Sequence, residues 1–128
     1  MSLMNDRKYT QEDEACLSTL LLAVGIMPSK AGFRYLKSSV LLYKEYNCNM
    51  NAICTAVAKA NGVSKESVER DMRTAIENAS RRGWFKRFNE IIGVEFLEDG
   101  EKLRTKEFIA IVVEYLDDPR SKKSLLRY

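Results

Sequence analysis

Apolar residues recur along this chain at three- and four-residue intervals, and glycine, proline and asparagine cut the pattern into helix-sized pieces. Residues 10–24, TQEDEACLSTLLLAV, carry a leucine stripe behind an acidic first turn, with Thr10 as the cap candidate. Acids there suit the positive pole of a helix dipole. Gly25 and Pro28 end the stripe. Residues 30–46 bring Phe33, Leu36, Val40 and Tyr43 or Leu41 near one face, which predicts a second helix. Asn47 to Asn49 reads as a loop, and 50–60 as a short helix with Ile53, Val57 and small alanines inward. Ser64 then suits the N-cap of a longer helix running to about 82 and closed by Gly83. Residues 84–92, WFKRFNEII, predict a further short helix; 93–104 read as irregular, or as a small hairpin around Asp99–Gly100. Thr105 reads as the cap of a last helix, 106–116, with Phe108, Ile109, Val112 and Leu116 inward. The expectation is an all-α fold: a compact bundle of about six helices containing a helix–turn–helix.

Length supports one domain: 128 residues suffice for a single hydrophobic core. The expected division is a flexible segment over 1–9, a helical domain over 10–116 and a polar, frayed tail over 117–128. Part of the first segment reads as a cloning remnant, with Met4 as the natural start. The composition, 45% hydrophobic and 30% charged, excludes wholesale disorder. No apolar run reaches the ~18–20 residues of a membrane span, and no signal-peptide pattern opens the chain. The three cysteines, Cys16, Cys48 and Cys54, form no C-x-x-C pair, and read as reduced core fillers in a cytoplasmic protein.

Residues 57–73, VAKANGVSKESVERDMR, raise a sharper possibility. A helix–turn–helix needs a small residue where its helices cross, a turn residue tolerant of positive φ, and a branched apolar plug in the angle. Ala58, Gly62 and Val68 meet those needs, with Val57 and Val63 as apolar flanks. Any tight helical corner could show this spacing. On the following helix Val68, Met72, Ala75, Ile76 and Ala79 fall within one third of the circle. The opposite face carries Glu66, Arg70, Arg73, Thr74, Glu77 and Arg81, with Ser67 and Glu69 on its shoulders.

Charge makes that face a nucleic-acid candidate. Between 64 and 87 seven basic residues stand against four acidic ones, an excess equal to the whole chain's +3. Arginine can pair two-pronged with guanine, and glutamate can accept from cytosine. Glu69 and Arg70 are therefore the expected base readers, assisted by Ser67, Arg73 and Thr74. Ser64, Lys65, Arg81, Arg82 and Lys86 are expected on phosphates, which position without specifying. The competing reading is a solvated face laced by Glu66–Arg70 and Glu69–Arg73 pairs, each contributing only ~0.3–0.5 kcal/mol. Trp84, Phe85 and Phe88 read as packing rather than base-stacking residues.

Three motifs, in order, resemble a known family. They are G-I-M-P-x-x-x-G-x-x-Y-L (Gly25, Pro28, Gly32, Tyr35, Leu36), S-V-E-R-x-x-R-x-A-I-E-x-A-x-x-R-G (Ser67 to Gly83) and E-F-I-A-x-V (Glu107 to Val112). The stretch from Leu20 to Leu116 is similar to the C-terminal effector domain of the sporulation initiation regulator, stage-zero sporulation protein A. The resemblance implies about six helices, an internal helix–turn–helix and binding of double-stranded DNA at a TGTCGAA-like box. The box often occurs as tandem copies, which leaves homodimeric or tandem binding open. It also implies that 82–92 corresponds to the region touching the RNA polymerase sigma subunit. The chain departs from the family pattern at Ser67, where an arginine is typical, and at Thr74, where a histidine is typical. The family's full protein carries a phosphorylated receiver domain, which 128 residues of this pattern do not accommodate. Hence the expectation is either an excised effector domain or a stand-alone relative.

Two functions follow from these features: a sequence-specific transcription regulator, or a module of the same fold that binds sigma factor or a related regulator without reading DNA. Histidine is absent, which removes the commonest general base and neutral metal ligand. No enzyme, cofactor or metal site is expected.

Overall fold

The computed structural model describes residues 9–83, 86, 90 and 103–117. Five helices occur among them: α1 (Gln11–Ala23), α2 (Ala31–Leu42), α3 (Met50–Asn61), α4 (Lys65–Arg81) and α5 (Thr105–Asp117). The all-α class holds, with one helix fewer among the described residues than the six expected. Of the helix expected over 84–92, Lys86 and Glu90 are helical and exposed. The remainder of that helix, the segment 93–102 and the tail from 118 onward lie outside the described residues.

Side-chain hydrogen bonds close the start of every described helix but α2, which follows Lys30 without one. Thr10 Oγ1 accepts from the Asp13 amide at 3.1 Å while the Thr10 amide donates to the Asp13 carboxylate at 2.9 Å. This reciprocal capping box satisfies two N–H groups that the first turn would otherwise leave without partners. Asn49 caps α3 by accepting from the Ala52 amide at 3.1 Å. At α5 the expected cap is displaced by one residue. Thr105 is already helical, and the Arg104 amide donates to Glu107 Oε1 at 3.0 Å. The glutamate three residues on does the capping there, a role the threonine hydroxyl was expected to fill.

The second helix is shorter than the 30–46 expected. It ends at Leu42 and the chain turns over 43–48, closed by the Cys48 amide donating to the Tyr43 carbonyl at 2.8 Å. Asn47 and Cys48 both take left-handed φ, 53° and 63°. Apolar periodicity continues through Tyr43, which is buried, so the pattern ran on past the backbone's stop. Cys48 is exposed, contrary to its expected place in the core; Cys16 and Cys54 are buried.

Leu17, Leu20, Leu21, Leu36, Ile53, Met72, Phe108 and Ile109 form the dry centre of the bundle. Each such side chain contributes about 1.5–3 kcal/mol by leaving water. The central helix, α2, packs against all four others. Its contact with α4 is very close at one point. Gly32 approaches α4 so tightly that a Cβ there would meet the Asp71 carbonyl oxygen at 2.6 Å and Ala75 Cβ at 2.8 Å. Two turns further along, the buried Ser39 hydroxyl donates to Met72 Sδ at 3.4 Å. At the far end, Lys44 forms an ion pair with Asp117, joining the turn after α2 to the end of α5.

Candidate nucleic-acid interface

The corner between α3 and α4 is closed by backbone. Gly62 follows α3 with φ 65° and ψ 32°, the left-handed conformation that costs glycine least. The Val63 amide donates to the Ala58 carbonyl at 3.1 Å and the Gly62 amide to Lys59 at 3.4 Å. This pair of bonds satisfies the last carbonyls of α3 and reverses the chain. Ser64 then starts α4, its Oγ accepting from the Ser67 amide at 3.0 Å. The corner residues Ala58, Val68 and Met72 are buried, as is Val57. Val63 is not the apolar flank expected: it is 39% exposed. The left-handed residue before it turns its side chain out of the angle that Val68 fills.

The buried stripe of α4 consists of Val68, Met72, Ile76 and Ala79, with Ala75 partly covered beside it. The opposite face is open. Arg70, Arg73, Thr74, Arg81 and Arg82 are exposed, as are Ser64 at the start and Lys86 beyond the end. Ser67, Lys65 and Glu69 are half-buried on the shoulders.

The polar contacts on this face differ from the pairs that spacing predicted. Among the described residues neither Glu66–Arg70 nor Glu69–Arg73 comes within ion-pair distance. Glu69 reaches back to Lys65 at 4.0 Å, and Arg70 Nε lies 3.5 Å from Asp71 Oδ1. Spacing four apart makes two side chains neighbours without choosing the rotamer that joins them. Arg70 Nη2 also donates to Ser67 Oγ at 3.4 Å, and Ser64 Oγ donates to that same oxygen at 2.9 Å. The sequence marked Asp71 only as an acid on this helix and did not pair it with Arg70. Adjacent helix positions do not normally face one another, so no spacing rule points to it.

Lys65 and Glu69 also feel α3. Burial pushes the Cys54 thiol above its ordinary range; the nearby Glu69 carboxylate raises it further, and Lys65 opposes that. Glu69 therefore sits on the α3 side of the helix, closer to the protein than Arg70 does. On the other side, an open groove of about 360 Å³ runs between the 25–32 segment and α4, with Lys30, Thr74, Asn78 and Arg82 among its lining. Lys30 and Asn78 had no signal in the sequence, since neither belongs to the corner motif.

A helical bundle that buries one side of a capped corner and leaves a cation-bearing helix face open is the architecture of a helix–turn–helix DNA-binding domain. The family model described as "Sporulation initiation factor Spo0A C terminal" matches residues 17–116, and the chain belongs to that family. It is a DNA-binding domain of a sporulation regulator and acts in transcription regulation; the family is not one of enzymes. Among the described residues no helix is long and apolar enough to cross a membrane.

Proposed function

We propose that this protein is a sequence-specific regulator that inserts the N-terminal half of α4 into the major groove. Arg70 is the main base reader, two-pronged to a guanine, and Glu69 reads beside it from the α3 shoulder. Ser67, Arg73 and Thr74 assist. Ser64, Lys65, Arg81, Arg82 and Lys86 hold phosphates on either side. The observation that carries this reading is the division of α4 itself: Val68, Met72, Ile76 and Ala79 are sealed in the core while Arg70, Arg73, Thr74 and Arg81 face water together. The site lies with the chromosome in the cytoplasm, and tandem or homodimeric occupancy is part of the same proposal.

The test is titration of a labelled duplex carrying the TGTCGAA-like box against a scrambled duplex at two salt concentrations. The box is expected to bind more tightly, and Arg70→Ala to lose about 1–3 kcal/mol with relaxed discrimination. Equal binding of both duplexes by both proteins would sink the specific-reader claim.

Glu69 held by Lys65, and Arg70 flanked by Asp71, favour a second reading. In it the same fold serves as a protein-interaction module whose 82–92 segment meets the polymerase sigma subunit. Stoichiometric sigma binding without salt-dependent duplex binding would favour that reading over the first.

A further inference from the structure

Four side chains at the start of α4 form a chain of contacts: Ser64, Ser67 and Arg70 at three-residue steps, and Asp71 next to Arg70. The Ser67 amide donates to Ser64 Oγ at 3.0 Å, and Ser64 Oγ donates in turn to Ser67 Oγ at 2.9 Å. Ser67 Oγ then accepts from Arg70 Nη2 at 3.4 Å. Asp71 Oδ1 lies 3.5 Å from Arg70 Nε on the other edge of the same guanidinium. Both lone pairs of Ser67 Oγ are thus engaged. The Arg70 side chain is 60% exposed, yet two of its groups are tethered. Without tethers a surface arginine samples many rotamers, and ordering it on binding costs conformational entropy.

We propose that Ser67 is a positioning residue for Arg70: the N-cap Ser64 anchors Ser67, and Ser67, with Asp71, aims the guanidinium before DNA arrives. The inference rests on the reading of Arg70 as the base reader. A guanidinium carries five N–H donors in a fixed fork. With one held by Ser67 and one beside Asp71, three are left, enough for a two-pronged bond to guanine O6 and N7. The helix N-cap thereby has two uses. It satisfies the amides of the first turn, and it fixes the first member of a relay ending at the base-reading tip. An arginine in place of Ser67 could not do this, since it has no acceptor.

The experiment is a double-mutant cycle on the full chain, with the TGTCGAA-like box and the same box carrying 7-deazaguanine in place of guanine. Variants are Ser67→Ala, Ser67→Thr, Arg70→Ala and Ser67→Ala with Arg70→Ala. Ser67→Ala is expected to weaken box binding about 2- to 10-fold and to shrink the penalty for 7-deazaguanine. Ser67→Thr, which keeps the hydroxyl, is expected to restore both. In the Arg70→Ala background, Ser67→Ala is expected to change nothing. Additive losses would overturn the proposal, because Ser67 would then act on DNA directly; an unchanged 7-deazaguanine penalty in Ser67→Ala would overturn it too. If Arg70→Ala itself leaves the penalty intact, the base-reader reading fails, and the relay falls with it.

Discussion

Gly32 lies flush against the backbone of Asp71. A Cβ at position 32 would stand 2.6 Å from the Asp71 carbonyl oxygen, a distance no relaxed structure tolerates, and 2.8 Å from Ala75 Cβ. The obstacle is helix backbone, which cannot swing aside as a flexible side chain would. Position 32 is near the start of α2, where alanine would otherwise gain up to ~1 kcal/mol over glycine in helix propensity. Overpacking at about 1–3 kcal/mol outweighs that gain. Gly32→Ala should therefore destabilise the fold by up to about 2 kcal/mol net. It should also weaken duplex binding, since the residue displaced is next to Arg70. Denaturant unfolding and box titration on the same preparation check both parts.

Arg81 and Arg82 stand exposed at the far end of α4. On the proposed docking each meets phosphate rather than a base. Arg81→Ala and Arg82→Ala should each weaken box and scrambled duplex alike, and lower the salt slope by about 1. Arg70→Ala should differ in kind, with discrimination lost. Binding isotherms at several salt concentrations separate the two behaviours.

Tyr9 has a hydroxyl that is buried and lacks a hydrogen-bond partner among the described residues. Burial, followed by the nearby Asp117 and Asp13 carboxylates, pushes its ionisation from 10.0 up to about 12. The folded state thus holds this proton more tightly than the unfolded chain does. The sign follows from linkage: the contribution is fully present below pH 10 and is lost as pH rises from 10 towards about 12. Tyr9→Phe should be neutral or stabilising below pH 10, because it removes an unsatisfied polar group. It should also remove Tyr9's share of the alkaline loss. Thermal melts of both proteins from pH 8 to 12 provide the comparison.

Of the three thiols, Cys48 alone is exposed. A charged thiol reagent should label one cysteine in the folded protein and three after denaturation. Cys48→Ser should leave no rapidly labelled thiol. Fast labelling of Cys54 in the native state would contradict both its burial and the upward push on its ionisation.

The features legible in the sequence are those set by neighbours along the chain. Ser64 could be identified as a cap because its partner is three residues away, and Gly62 as the turn because only local backbone demands its φ. The α4 stripe was legible because Val68, Met72, Ile76 and Ala79 obey one period on one helix. What escaped depended on rotamers or on distant elements. Val63 looked apolar and therefore inward, but the turn at Gly62 had already changed its direction. Arg70 had a suitable acid four residues before it and is held instead by Ser67 and Asp71. Gly32 carried the family pattern, yet its reason is a backbone 39 positions later, which no local pattern encodes. Lys30 joins the α4 side only because α2 crosses there.

The length of α4 has a further bearing on how much DNA one copy can cover. Seventeen residues rise about 25 Å, roughly twice the ≈12 Å width of a major groove. A helix entering by its first turns must leave its last turns outside, standing above the sugar–phosphate ridge. Arg81 and Arg82 would then touch the neighbouring strand about two-thirds of a helix-length from the bases that Arg70 meets. The footprint of one copy would exceed the letters it reads, and that excess sets the closest spacing at which two boxes can be filled together.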